Sequence, residues 1–399
     1  MHFRIATLNT WGLPRPFSNH PAERLRSIGA RLGSLSLDAI AFQEVWTAGA
    51  RRRLQRAGRD AGLRHGWGPD ASVGGSGLLV LSRWPILSSR LRAYSLRGHP
   101  EALNHGDYYG HKGYAWLRLD TPAGPLSLID THLHARYASD ARHEYVPQRV
   151  GQIVELALGT RRVTDPLITA GDFNFTDQHV EHRLLTDLTG LRDVARELGN
   201  AQPTVTRRNP LRSSHKPDRR IDYVFARDGD HAHVLAKSVE RIFDEPPPPP
   251  LRGYSDHAGV LAELEIQPAD RPTQRRPPRP ETFARARELL AEGRDAARQR
   301  RTEGRYVSGA GLGVAALATM GRRKLPTTSR RGFLRRGLQV SALLALTPGL
   351  GGSVLSEVFA PSEIRAYDGL TLSLDQLERE GIQPGTLARV TAAPPAPPR

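Results

Sequence analysis

Five short polar clusters punctuate the first two thirds of the chain: Asn9, Gln43-Glu44, Asp130-Thr131-His132, Gly171-Asp172-Phe173-Asn174 and Ser255-Asp256-His257. Four close apolar runs that read as strands and the last just precedes one, the end at which an α/β sheet presents its chemistry. Singly, each has a plain explanation: Asn9 could cap a turn, Glu44 could be a solvated first-turn residue, and Asp172 with Asn174 could form an Asx-turn. As an ordered set they supply what water needs to cleave a phosphodiester. That reaction requires an activated nucleophile, neutralised nonbridging oxygens and support for the departing alkoxide.

Glu44 and Asn9 offer a carboxylate and an amide to a magnesium ion that keeps part of its water shell. His257 can act as general base because an imidazole titrates near neutral pH, and Asp222 is the natural group to orient it. Asp172 and Asn174 both reach a reacting phosphate if the backbone turns sharply after Ala170, which Gly171 permits. His132 and His134, two apart on a strand, are expected on one face as phosphate donors. Lys112 is a candidate phosphate-binding cation, with a solvated surface lysine as its ordinary alternative. The chain has no cysteine, so thiolate sites and disulfides are excluded and a metal must be held by carboxylate, amide and imidazole groups. A two-histidine zinc site lacks a third ligand of matching spacing.

The elements that must position these residues are readable from periodicity. Strands are expected at Phe3 to Asn9, Asp38 to Gln43, Gly77 to Ser82, Gly113 to Asp120, Pro125 to Leu133, Leu167 to Ala170, Ile221 to Ala226 and Val260 to Ile266. Leu25, Ile28 and Leu32, after Pro21, give one outer helix; Val150, Ile153, Val154, Ala157 and Leu158 give another. Met1 to Asn9 reads directly as strand, so an ordinary signal peptide is not expected.

Residues 1–267 therefore form one α/β catalytic domain, and 268–300 a Pro/Arg-rich linker with a short helix at Phe283, Leu289 and Leu290. Residues 301–399 form a basic tail. From Arg271 onward there are 22 Lys/Arg against 11 Asp/Glu, so +11 of the net +16 charge lies there. Such a tail favours anionic partners, nucleic acid or an acidic membrane surface, although an Arg-rich composition also follows from a GC-rich genome. Its apolar runs Val307 to Met320 and Leu338 to Leu355 are each marginal for spanning a bilayer. A basic loop around Arg322, Arg323, Lys324, Arg330, Arg331, Arg335 and Arg336 is expected between them; a helical hairpin with this basic connector is one reading, membrane-surface attachment a weaker variant of it, and a poorly ordered tail the alternative. Ser329 to Leu334 also looks like a twin-arginine export signal in an unusual internal position.

The motifs resemble the endonuclease/exonuclease/phosphatase superfamily from about Ile5 to Ile266, and within it the neutral sphingomyelinase branch. LNTWGLP at Leu8, QEVW at Gln43, GSGLLVLSRWPI at Gly75 and RIDYVF at Arg220 look like that branch, while GDFN at Gly171 and SDH at Ser255 mark only the superfamily. HGDYYGHKG at His105 and THLHARY at Thr131 are the more specific signals. The resemblance implies a four-layer sandwich of two mixed β-sheets with helices outside. It further implies Glu44 as central magnesium ligand with Asn9 beside it, Asp172 and Asn174 at the scissile phosphate, His257 as base paired with Asp222 and flanked by Asp256, and His132 as phosphate donor. Asp107 and Lys112 are similar to a pair that switches between resting and active arrangements. Pro246 to Pro250, in the loop leading to Ser255, is a departure that leaves headgroup selection open.

The leading expectation is a Mg²⁺-dependent phosphodiesterase, with Mn²⁺ as a possible substitute, that releases phosphocholine from sphingomyelin at a membrane surface. A nuclease, or a phosphodiesterase for phosphoinositides or other phospholipids, is the alternative, and a non-catalytic binding protein is weaker. The catalytic domain is only modestly basic and lacks an interleaved aromatic and basic tract, so nucleic acid is not the favoured partner. A monomer is expected, held at the membrane by its tail; a cytoplasmic protein, or one exported through the internal twin-arginine segment, is the alternative.

Overall fold

The computed structural model of the chain describes residues 1–69, 76–102, 105–137, 144–212, 217–270, 277–325 and 329–381, with side chains of 329–331 and 381 set aside. Gly75 of the GSGLLVLSRWPI motif, residues 271–276 of the Pro/Arg linker and the last residues of the tail lie outside this set.

Twelve strands build two sheets. The first holds β1 (His2–Asn9), β2 (Ala39–Gln43), β3 (His65–Trp67), β4 (Leu79–Ser82), β11 (Ala232–Ile242) and β12 (Gly259–Pro268), in the order β11-β12-β1-β2-β4-β3. The second holds β5 (Ile86–Ala93), β6 (Gly113–Thr121), β7 (Gly124–His132), β8 (Leu167–Asp172), β9 (Arg192–Asp193) and β10 (Asp222–Arg227), in the order β5-β6-β7-β8-β10-β9. In each sheet one central pair runs parallel, β1 with β2 and β7 with β8, and the other pairs are antiparallel. Both sheets are mixed.

Strand alternation explains the layering. Along β1 and β2, Phe3, Ile5, Ala39 and Ala41 face a cluster shared with Leu117, Leu128, Ile168 and Val224 of the opposite sheet. The intervening Ala6, Leu8, Ile40 and Phe42 face outward against α1 (Pro21–Arg31) and α2 (Ala48–Asp60). On the far side, Tyr223 and Phe225 pack under α4 (Val146–Thr160) and α5 (Val180–Thr189), α3 being the single turn Asp107–Gly110 and α6 the turn Val194–Glu197. The expected four-layer sandwich is the fold.

The central strands fall within a residue or two of their expected bounds, whereas the edge strands β3, β5, β9 and β11 are not legible in the sequence. An edge strand carries charged residues such as Lys237, Glu240 and Arg241 that blur its alternation. Helix α2 was missed for a related reason, since AGARRRLQRAGRD buries only Ala50, Leu54 and Gly58.

The tail departs most from expectation. The short helix drawn inside 268–300 is the start of α7, which runs unbroken over Pro280–Lys324 across the boundary at 300. Its Phe283, Ala286, Leu289 and Leu290 join the core under α4, together with Tyr367, Leu370 and Leu374 of α9 (Ala360–Gly381). The basic residues assigned to a loop lie in helices: Arg322, Arg323 and Lys324 form the last turn of α7, and Arg335 and Arg336 belong to α8 (Ser329–Val354). Arginine propagates a helix well, and cations are favoured where its dipole is negative. Arg330 and Arg331 of the twin-arginine-like segment also lie on helical backbone, their side chains outside the described set. Glycines let α7 and α8 touch: a Cβ on Gly311 would lie 2.7 Å from Gly349 Cα. The helical stretch Gly332–Glu380 is long and apolar enough to cross a membrane by length and composition, and its most apolar window is only 11% buried.

Candidate active site

Register assembles the site before any side chain is considered. At the end of the second sheet His132 pairs with Asp172 across β7 and β8, and Asp172 pairs with Asp222 across β8 and β10. One row thus carries an imidazole and two carboxylates. In the first sheet Asn9 pairs with Gln43, so Glu44 follows directly from the neighbouring strand end. Strand β12 runs antiparallel to β1, which returns Ser255, Asp256 and His257 to the same edge.

Side chains then join the two sheets. Asn9 Nδ2 donates to Glu44 Oε1 at 3.0 Å and to Asp172 Oδ2 at 2.9 Å. His132 Nε2 lies 3.3 Å from the same Asp172 oxygen. His257 Nδ1 lies 3.1 and 3.0 Å from the two oxygens of Asp222, and the Ser255 hydroxyl donates to the Asn9 carbonyl at 2.6 Å. Asp256 accepts from Ser255 Oγ at 3.3 Å, close enough to Glu44 and His257 for their charges to act on it. Beneath the site Gln43 Nε2 donates to the buried Asp130 at 2.6 Å.

Two site residues occupy left-handed backbone, Glu44 at φ 61° and Asn174 at φ 54°. Non-glycine residues persist there only when their surroundings hold them, and they cluster at functional sites. The expected sharp turn after Ala170 is not seen: β8 continues through Asp172, and the chain turns at Asn174, whose backbone NH bonds Asp172 Oδ1 at 3.0 Å. Gly171 is required for a different reason. A Cβ there would meet the Thr131 carbonyl oxygen at 2.0 Å, so glycine lets the parallel strands approach.

A second group adjoins the first. Lys112 Nζ lies 3.0 Å from Asp107 Oδ1 and donates to the Leu133 carbonyl at 3.0 Å, which also receives Asn174 Nδ2 at 3.0 Å. His134 lies past the end of β7 and its Nδ1 is 3.4 Å from Asp107, with its ring stacked on Tyr145. The expectation that His132 and His134 act as one donor pair is therefore corrected: one faces Asp172, the other Asp107. All eleven residues singled out from the sequence lie in these two adjoining groups.

Burial and charge set the titrations. Burial works against ionised Asp107, but the Lys112 ammonium and the two histidines hold its carboxyl down at about 2. Burial also works against ionised Asp172, but His132, His257 and Lys112 together hold it below the usual carboxylate range. Burial pushes Asp256 up, with Glu44 adding to it. Burial also lowers His134 to about 4, leaving it neutral. His257 goes the other way: despite burial, the Asp222 and Asp256 carboxylates raise it to about 10.

Two participants lie outside the polar clusters. Thr204 donates to Asp222 Oδ2 at 2.5 Å, and the buried Arg24 ties Thr10 to Tyr254 through their carbonyls. Thr204 sits in an irregular stretch with no sequence signal, and Arg24 occupies a helix face expected to be apolar. Two sets of groups could hold a hard cation: Asp172, Asp222 and His257, each offering a ligand atom within 4.8 Å of the others, and the expected pair Glu44 and Asn9, which stands outside that cluster with Asn9 Nδ2 donating to Glu44 Oε1.

Residues 6–257 match the Endonuclease/Exonuclease/phosphatase family. A candidate neutral sphingomyelinase of Drosophila melanogaster is 31% identical over 274 residues, covering 67% of this chain and 61% of its own length. Human sphingomyelin phosphodiesterase 2 is 30% identical over 407 residues, covering 95% of this chain and 91% of its own. An inositol phosphosphingolipids phospholipase C of Schizosaccharomyces pombe is 29% identical over 68% of this chain and 70% of its own length. Among solved structures, a Staphylococcus aureus beta toxin variant with bound magnesium ions superposes with a TM-score of 0.52 at 14% identity, over 66% of this chain and 99% of that one.

Proposed function

The chain belongs to the endonuclease/exonuclease/phosphatase family, and on that footing we propose that it hydrolyses sphingomyelin to ceramide and phosphocholine by in-line attack of water. The observation that carries this reading is the convergence of Glu44, Asn9, Asp172, Asp222 and His257 at one edge of both sheets. The relatives named for sphingomyelin cleavage support the substrate.

His257 is the base. Its Nδ1 is engaged by Asp222, which leaves Nε2 to take the proton of the attacking water. Asp172 and Asn174 orient that water and the phosphate, and His132 donates to a nonbridging oxygen. The new P–O bond forms to water as the bond to the ceramide oxygen breaks, and the departing oxygen leaves as the alcohol once protonated. A divalent ion, Mg²⁺ or Mn²⁺, held by Glu44 with Asn9 would neutralise phosphate charge and stabilise the departing oxygen. Its charge would also oppose the carboxylates that hold His257 protonated.

Lys112, paired with Asp107, is the cation poised nearest the Leu133 carbonyl that Asn174 also binds. Exchange of Asp107 for a substrate phosphate would make it a headgroup contact, the switch that the resemblance implies. The hairpin of α7 and α8, which exposes Val307, Leu312 and Leu317 on one helix and Leu343 and Leu344 on the other, attaches the enzyme to the membrane holding its substrate.

Purified full-length protein offered sphingomyelin micelles, inositol phosphosphingolipid, phosphoinositides and plasmid DNA in parallel tests the reading. Mg²⁺-dependent release of phosphocholine, abolished by EDTA and by His257→Ala, is expected. Cleavage of DNA alone would overturn it.

A further inference from the structure

The segment from Thr10 to His20 leaves the site directly after Asn9. Its tip, Pro14-Arg15-Pro16-Phe17, is exposed, with Phe17 69% accessible. A single exposed phenylalanine needs no explanation, but this one is held out by an unusual brace. The Arg24 guanidinium, 1% accessible, donates to the carbonyls of Asn19, Thr10, Tyr254 and Trp11 at 2.8, 2.8, 2.9 and 2.6 Å. It also stacks over the Trp11 ring at 4.9 Å. The tip itself is closed by Phe17 NH to the Pro14 carbonyl at 2.9 Å and by Ser18 Oγ to the Leu13 carbonyl. Burying an arginine to fix four residues is costly unless the fixed shape is used.

The tip lies at the end of the sheets where Asn9 and Asp172 meet. The root of the apolar hairpin reaches the same end, because Phe359, just past α8, makes an edge contact with Tyr108 of α3 at 5.6 Å, beside Asp107. A bilayer holding the hairpin therefore faces the loops of this end.

We infer that the Pro14–Phe17 tip is a second membrane contact, in which Phe17 enters the boundary between headgroups and acyl chains while Arg15 meets lipid phosphate. Aromatic rings are favoured at that depth and arginine at the phosphate layer. Because the tip is fixed to Asn9, its insertion sets the height of the site above the lipid surface. The partner is the bilayer itself, and the inference rests on the proposed lipid substrate for its benefit though not for its test.

The absence of cysteine makes the test direct. Full-length Phe17→Cys and, as control, Asp60→Cys at the opposite end of α2 are labelled with an environment-sensitive fluorophore and reconstituted into phosphatidylcholine–sphingomyelin vesicles. The label at 17 is expected to shift to the blue and be quenched by spin-labelled acyl chains, and the label at 60 to do neither. Identical behaviour at the two positions overturns the inference, whether or not the lipid is hydrolysed. In a second arm, Phe17→Glu is expected to slow hydrolysis of sphingomyelin in those vesicles about tenfold, as loss of one buried aromatic ring implies. It should leave hydrolysis of dispersed short-chain sphingomyelin within about twofold. Equal effects on both substrates count against the contact. If neither lipid is cleaved the proposed reaction fails, and the fluorescence arm still decides the contact.

Discussion

The imidazole of His257 and the carboxylate of Asp222 are held 3.0 Å apart although they come from different sheets. Asp222 opens β10 in one sheet and His257 precedes β12 in the other, so their contact depends on how the sheets are packed.

This pair makes metal-free stability depend on pH. The folded-state pKa of His257 is raised to about 10, above its unfolded value near 6.5. Its contribution is therefore complete below about pH 6.5 and is lost as pH rises through about 10. Thermal unfolding in EDTA should show the melting temperature falling across that window, and His257→Gln should flatten the fall. An unchanged slope in the variant would contradict the pairing.

Thr204 is expected to matter through Asp222 rather than through substrate. Thr204→Val removes the hydroxyl that donates to Asp222 Oδ2 while keeping the volume. The predicted result is a drop in kcat of about tenfold with KM nearly unchanged, and a stability loss of about 1 kcal/mol. A rise in KM with kcat intact would place Thr204 elsewhere in the reaction.

Gly171 tests the approach of β7 and β8. In Gly171→Ala the new methyl would stand 2.0 Å from the Thr131 carbonyl oxygen, which is backbone and cannot swing aside. Destabilisation of about 3 kcal/mol and loss of activity are expected. Wild-type denaturant stability in the variant would refute the close approach.

The tail separates into a part that attaches and a part that folds. Removing everything after residue 300 would strip Tyr367, Leu370 and Leu374 from the core and should lower stability as well as membrane attachment. Excising 305–355 and rejoining Gly304 to Ser356, whose Cβ would lie 3.2 Å from a Cβ on Gly304, leaves that packing in place. The excised protein should stay in the supernatant on vesicle sedimentation yet cleave micellar sphingomyelin at close to the full rate. Retained sedimentation would remove the hairpin's assigned role.

The sequence by itself determined the central strands, the exclusion of thiolate ligands and the identity of the polar residues at the strand ends. Each is a local property: alternation marks Phe3 to Asn9, and the absence of cysteine limits the ligands. Edge strands and α2 stayed hidden because exposed residues there are free to be charged. Only the tertiary structure decided that His134 belongs with Asp107 rather than with His132, that Thr204 and Arg24 serve the site, and that α9 completes the core. The reason is physical: a side chain's partner depends on which distant backbone arrives beside it. Sheet register and packing fix that arrival across separations such as Asn9 to Ser255, where no local pattern reaches.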